Sequence, residues 1–214
     1  MDHPTRILLV RHGGTTATAD DRFAGSSDVL RSESGIEQAR RLGERLKDVR
    51  IDAAYCSNLT RAIDTSAQIT RLHPGLSATV APALREIDHG HWEGMRHKEV
   101  ERRFANEYAA WTFDPLDYCI PGGESGRSVL KRASSEVQRI VSAHPGQTVL
   151  IVSHKATNRL LLAHWLGFDP RTYRQRLAQD TCCLNIILFG AAGDEGALVV
   201  LVNDTSHYQQ VQSA

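Results

Sequence analysis

The sequence predicts a three-layer α/β/α sandwich built around a mainly parallel sheet, and three features of its patterning carry that expectation. Apolar runs at 7–10 and within 148–152 read as strands buried on both faces. Amphipathic helical stretches lie between the strand candidates, the alternation that produces parallel sheets covered on both sides. Near the C-terminal end, strand candidates at 183–189 and 197–202 flank a glycine-rich turn at 190–196 and predict an antiparallel hairpin.

Taken in order, the first strand is Ile7-Leu8-Leu9-Val10, ending at a polar cluster. From 35 to 48 apolar residues recur as Ile36, Ala39, Leu42 and Leu46, with Arg40, Arg41, Glu44 and Arg45 turned outward, which is helical spacing. Residues 53–56 form a short strand candidate, and 58–72 a helix closed by His73-Pro74-Gly75. The stretch 80–84 predicts an edge strand, because Pro82 withholds a ladder donor. Residues 88–121 differ in character. They hold His89, His91 and His97, the tryptophans Trp92 and Trp111, and a polar helix candidate at 97–111, and they close on Pro121-Gly122-Gly123. This segment is expected to be an insertion that covers a pocket. A helix over 125–144 stops at Pro145-Gly146, the strongest strand follows at 148–152, and a helix is under way by Leu160. No repeat or linker interrupts the 214 residues, so one domain is expected.

Composition narrows the function. Twenty-five basic residues face 25 acidic ones, so no whole-molecule field draws the chain to nucleic acid or to an anionic membrane. Charge selectivity must be local. No apolar run reaches the length of a membrane span, and the run after Arg6 is too brief for a signal peptide. Cys56, Cys119, Cys182 and Cys183 have neither metal-ligand spacing nor the density of a disulfide scaffold. Cys182 and Cys183 are expected on opposite faces of a strand. A cytoplasmic, metal-free chain with no cofactor is the expectation. A homodimer is the assembly entertained, since two-fold dimers are the commonest closed form.

The chemistry gathers at two strand ends. The first buried strand runs into Arg11-His12-Gly13-Gly14-Thr15, and the later one into Ser153-His154-Lys155. Ligands of open α/β sheets bind beyond the carboxyl ends of strands. Either histidine alone reads equally well as structural; two placed alike point to a site.

Leu9-Val10-Arg11-His12-Gly13-Gly14-Thr15 resembles the signature of the histidine phosphatase superfamily, the phosphoglycerate mutase-like family. Further blocks follow in family order: Ser57-Asn58-Leu59-Thr60-Arg61-Ala62, then 84–94 around Glu86, then Pro121-Gly122-Gly123-Glu124-Ser125, then Val152-Ser153-His154. The resemblance implies a phosphohistidine formed on His12, which divides one hard displacement into two easier ones. Arg11 and Arg61 would grip the phosphoryl oxygens as planar, permanently charged forks, with His154 beside them. By spacing alone Arg61 reads as an exposed helix arginine. Glu86 takes the general acid and base role by family position, leaving Asp88 and Glu93 as surface carboxylates. The sequence departs from the family pattern at Gly14, at Thr18 and at Lys155. Thr18 would still offer a hydroxyl to phosphate; Lys155 either adds charge for an anionic substrate or turns to solvent.

The block after Glu86 looks like the phosphatase branch, so hydrolysis of a small phosphorylated metabolite (a sugar phosphate, sugar-acid phosphate or phosphoglycerate type) is expected. Cofactor-dependent mutase chemistry is the first alternative, and a non-catalytic phospho-ligand binding module the second. Substrate-binding positions are expected at Thr15, Thr18, Arg22, Phe23, Gly25, His91, Glu124 and Lys155. Trp92 either lines the leaving-group side or lies buried under the insertion. Tyr173-Arg174-Gln175-Arg176 reads first as solvated helix surface, with contact to a second acidic group as the alternative. Residues 203–208 either fold towards the site or fray.

Overall fold

The computed structural model describes residues 3–190 and 196–209, so most of the predicted 190–196 turn and both chain ends lie outside the described residues. The first half holds strand β1 (Thr5–Arg11), helices α1 (Thr16–Ala19) and α2 (Glu33–Leu46), strand β2 (Ala53–Cys56), helix α3 (Thr60–Thr70) and strand β3 (Ala78–Val80). Helices α4 (His97–Arg103), α5 (Ala105–Phe113) and α6 (Gly126–Ala143) follow, then β4 (Thr148–Ser153) and α7 (Lys155–Trp165). The short helix α8 (Tyr173–Arg176) and strands β5 (Leu184–Phe189) and β6 (Ala197–Asp204) complete the chain.

The six strands form one sheet in the order β3-β2-β4-β1-β5-β6. The pairs from β3 to β1 are parallel, while β1–β5 and β5–β6 are antiparallel, as the hairpin signal predicts. Alternation along β1 separates two cores. Ile7 and Leu9 pack with α6 and α7 through Val129, Val137, Ile140 and Leu161. Leu8 and Val10 pack with α2 and α3 through Ala39, Leu42, Ala62 and Ile69. Helices thus cover both faces. No helix among the described residues is long and apolar enough to cross a membrane.

Residues 88–121 lie over one end of the sheet with a core of their own, Trp92, Val100, Trp111 and Ile120, which Phe23 joins from the loop after α1. Trp92 is buried there, so of its two readings the covered one holds. The predicted helix at 97–111 is two helices, because Phe104 leaves the helical region (φ −127°, ψ 44°) between α4 and α5. The predicted strand at 80–84 ends at Val80. Pro82 instead opens a 3-10 turn, where its missing N–H is no loss. Cys182 adopts φ 54° in a turn ahead of β5, so it does not alternate with Cys183 along a strand; both thiols are buried and free. The end of β6 and the residues after it dock on α2 through Arg45, which pairs with Asp204 and donates to Ser206 Oγ, while Tyr208 Oη donates to the Thr181 carbonyl at 2.7 Å.

Candidate active site

The two histidines meet because β1 and β4 are neighbours in parallel register. Val10 lies beside Val152 and Arg11 beside Ser153, so the next residue of each strand, His12 and His154, leaves the sheet at the same height. The ladder continues one step further through His12 N to Ser153 O at 3.0 Å. The ring centroids lie 5.0 Å apart. Gly13 carries the chain away across α2, where a Cβ would sit 2.4 Å from the Gly35 carbonyl oxygen, so only glycine allows this approach.

His12 Nδ1 lies 2.7 Å from the carbonyl of Gly13. A carbonyl only accepts, so Nδ1 carries the proton and Nε2 keeps its lone pair. Burial first, then Arg61 and Arg11, hold this imidazole well below its usual pKa, against the opposing pull of the Gly13 bond. Burial, Arg61, His12 and Arg11 do the same to His154. Both rings are therefore neutral. Neither nitrogen of His154 has a partner among the described residues.

Two arginines flank the pair, each gripped from behind. Arg11 Nη1 donates to the Gln179 carbonyl at 2.6 Å, and the Gln179 side chain is tied to Asn185 at 2.7 Å in the buried sheet. Arg61, 1 % exposed, donates to the carbonyls of Ser27 (2.8 Å), Ala24 (3.2 Å) and Gly25 (2.6 Å). The loop bearing those carbonyls is itself held by Glu93, whose carboxylate accepts the amides of Gly25, Ser26, Ser27 and His89 and the Ser27 hydroxyl. Glu93 is thus a loop anchor and not a surface carboxylate.

Glu86 is buried at the start of α7. Oε2 accepts the Ala156 amide at 3.0 Å, and Oε1 accepts the Ile87 amide at 3.0 Å and the Thr157 amide and hydroxyl at 3.2 Å. These amides, free at the start of a helix, fix the orientation of the carboxyl group. The first turn of α7 escapes apolar periodicity because Lys155, Ala156 and Arg159 face the cavity. Arg132 holds the backbone of Glu86 from behind, donating to the carbonyls of Ala83, Arg85 and Glu86 and pairing with Glu124 at 2.8 Å.

A cavity of about 240 Å³ opens above the histidines. Arg11, His12, Arg61 and Glu86 line it, and His154 is buried beside His12. Of the expected substrate positions, Thr15, Thr18, Arg22, Phe23 and Lys155 also line it; Gly25, His91 and Glu124 do not. Gly25 works through its backbone, and a Cβ there would fall 2.0 Å from the Ile87 carbonyl oxygen. His91 turns outward to Glu107 at 3.1 Å, and Glu124 is taken by Arg132. Of the other walls, His89, His97 and Trp111 come from the segment expected to cover the pocket, while sequence reasoning missed Arg159 and put Arg174 at the cavity only as its second reading. Arg174 belongs to the run first read as solvated surface, yet its guanidinium stacks 3.5 Å over the Trp111 ring. His97 stacks on Phe23 at 3.9 Å, while His89 meets the edge of the same ring. No group of three potential metal ligands comes together among the described residues.

A family model described as histidine phosphatase superfamily (branch 1) matches residues 7–205. Phosphoserine phosphatase 1 of Hydrogenobacter thermophilus is 32% identical over 164 residues, 77% of either chain. Adenosylcobalamin/alpha-ribazole phosphatase of Escherichia coli is 32% identical over 163 residues, 76% of this chain and 79% of its own. Among solved structures, YhfR of Bacillus stearothermophilus superposes with a TM-score of 0.88 at 30% identity, covering 95% of this chain and 98% of its own. The strand-end histidines and the arginines behind them thus stand in a chain that belongs to the histidine phosphatase superfamily, branch 1.

Proposed function

We propose that the chain is a phosphomonoester hydrolase for a small phosphorylated metabolite, working through a phosphohistidine on His12. The observation that carries this reading is the fixed tautomer. The Gly13 carbonyl pins the proton on Nδ1, and burial, with the cationic surroundings second, keeps the ring neutral, so Nε2 is a ready nucleophile at the cavity floor.

In the first step His12 Nε2 attacks phosphorus and the ester P–O bond breaks. Glu86 gives its proton to the departing alkoxide oxygen. Arg11 and Arg61 hold the equatorial oxygens where negative charge concentrates, and His154 donates one N–H to the same group. Water then attacks phosphorus, Glu86 takes the water proton, the P–N bond breaks and orthophosphate leaves. The chain's own residues supply every proton movement, so neither a metal nor a cofactor is needed. The named activities of the relatives, both phosphatases, support water as acceptor, and that of the phosphoserine phosphatase supports a small metabolite as donor. Cavity size agrees, since 240 Å³ falls short of the roughly 300 Å³ at which drug-sized sites begin.

Hydrolysis of p-nitrophenyl phosphate by wild type and His12→Ala, with and without EDTA, tests the proposal. Turnover that survives EDTA and vanishes in the variant is expected. Turnover that persists in the variant overturns it. Isomerisation of 3-phosphoglycerate in the same assay would move the reading to a mutase.

A further inference from the structure

The cavity holds more positive charge than one phosphate can use. Six cationic side chains line it against two carboxylates, Asp21 and Glu86, in a chain whose net charge is zero. Arg11 and Arg61 belong to the phosphate, and Arg22 is engaged by Asp20 and the Gly94 carbonyl. Lys155, Arg159 and Arg174 remain, and among the described residues none of them makes an ion pair.

Their placement runs against elementary electrostatics. Lys155 opens α7 and Arg159 follows one turn later, so two cations occupy the positive end of a helix dipole. Like charges four residues apart on a helix also repel. Arg159 Nε is buried without a partner. Lys155 is exposed at the cavity mouth, and partial desolvation, with Arg11 and Arg159 beside it, lowers its pKa to about 8. Arg174 approaches from α8 and is held by its stack on Trp111, so its position does not depend on a carboxylate. Three unpaired cations from two elements facing one cavity make a receptor for a second anion.

Resting on the phosphatase reading, we propose that Lys155, Arg159 and Arg174 form a subsite for a second anionic group of the substrate, a carboxylate or a second phosphate. The substrate class is then a phosphate monoester with a second acidic group a few bonds away, and a neutral alcohol phosphate is a poor fit. Each charge-assisted bond to such a group contributes enough to be read as roughly a tenfold change in affinity.

Calorimetry on His12→Ala protein, which separates binding from turnover, compares three probes: propylphosphonate, 3-phosphonopropionate and propane-1,3-bisphosphonate. At least one doubly acidic probe is expected to bind about tenfold or more tightly than propylphosphonate. Whichever gains identifies carboxylate or phosphate as the second group. Adding Arg159→Met or Arg174→Met should remove most of that gap, and Arg159→Lys should restore part of it in equally stable protein. Equal binding of all three probes overturns the subsite while leaving the phosphatase reading intact, as does a gap that survives both methionine variants. Failure of every probe to bind folded protein would count against the phosphate site itself, and so against both.

Discussion

Arg61 and Glu93 share no hydrogen bond, yet each grips the opposite side of the same stretch of backbone. The amides of Gly25, Ser26 and Ser27 point at the Glu93 carboxylate. The carbonyls of Ala24, Gly25 and Ser27 point at the Arg61 guanidinium. A loop that would otherwise leave its polar groups to water becomes a rigid spacer between two charges. Arg61 is thereby fixed with at most three of its five donors used, and Glu93 reaches it only through the loop.

Glu93→Ala is therefore expected to leave a set of amides unpaired and lower stability by about 2–4 kcal/mol. It should also raise KM for p-nitrophenyl phosphate, and the inhibition constant of orthophosphate, more than it lowers kcat. Denaturant titration and steady-state inhibition measure the two effects. A loss confined to kcat would show that Glu93 does not act through Arg61.

Glu86→Gln keeps the amide acceptor geometry of one oxygen but removes the transferable proton. Esters of alkyl alcohols, whose leaving groups need that proton, should slow by about a hundredfold or more. The nitrophenyl ester should slow far less in its first step. Comparing the two substrates decides the point, and equal slowing would remove Glu86 from the acid role.

The buried histidines make stability depend on acidity. His12 and His154 have folded-state pKa values well below the unfolded value, so the unfolded chain binds protons that the folded one refuses. Stability should thus be full above pH about 6.5 and decline as the pH drops below it. His154→Asn should flatten this slope in pH-dependent melting curves. An unchanged slope would mean that His154 is charged in the folded state.

Lys155 gives the opposite limb. Desolvation and the neighbouring Arg11 and Arg159 bring its pKa to about 8, with Glu86 and Asp180 opposing. The side chain loses its charge as the pH rises through that value, so KM for a doubly acidic phosphate ester should climb above pH 8. Lys155→Arg, which stays protonated, should abolish the rise. A rise that persists in the arginine variant would assign it to another group.

Much of this architecture was legible in the sequence, for reasons that also mark where legibility stops. Residues 7–10 and 148–152 declare themselves as buried strands, and so place His12 and His154 at strand ends. That the two strands are neighbours in register is a long-range fact, and no local pattern encodes it. Glu93 and Glu124 read as a surface carboxylate and a pocket wall because a carboxylate does not announce its partner. Their partners are a loop of amides and Arg132. Arg174 sits in a basic run with no apolar spacing, and only the Trp111 face, distant along the chain, draws it inward. The first turn of α7 hid its helix for a related reason: its inward side chains meet a polar cavity instead of a core.

The segment over the sheet has a hydrophobic cluster that shares no residue with the two cores below it. Folding energy is therefore partitioned. Exchanging residues that shape the roof of the cavity, such as Trp111 and His97, is expected to leave the packing of β1 and β4, which carry the histidines, intact. A library varied over the roof should retain folded, phosphoryl-transferring members at a higher rate than one of equal size varied over the sheet. In this architecture a new substrate can be acquired by redecorating the ceiling while the floor keeps its chemistry.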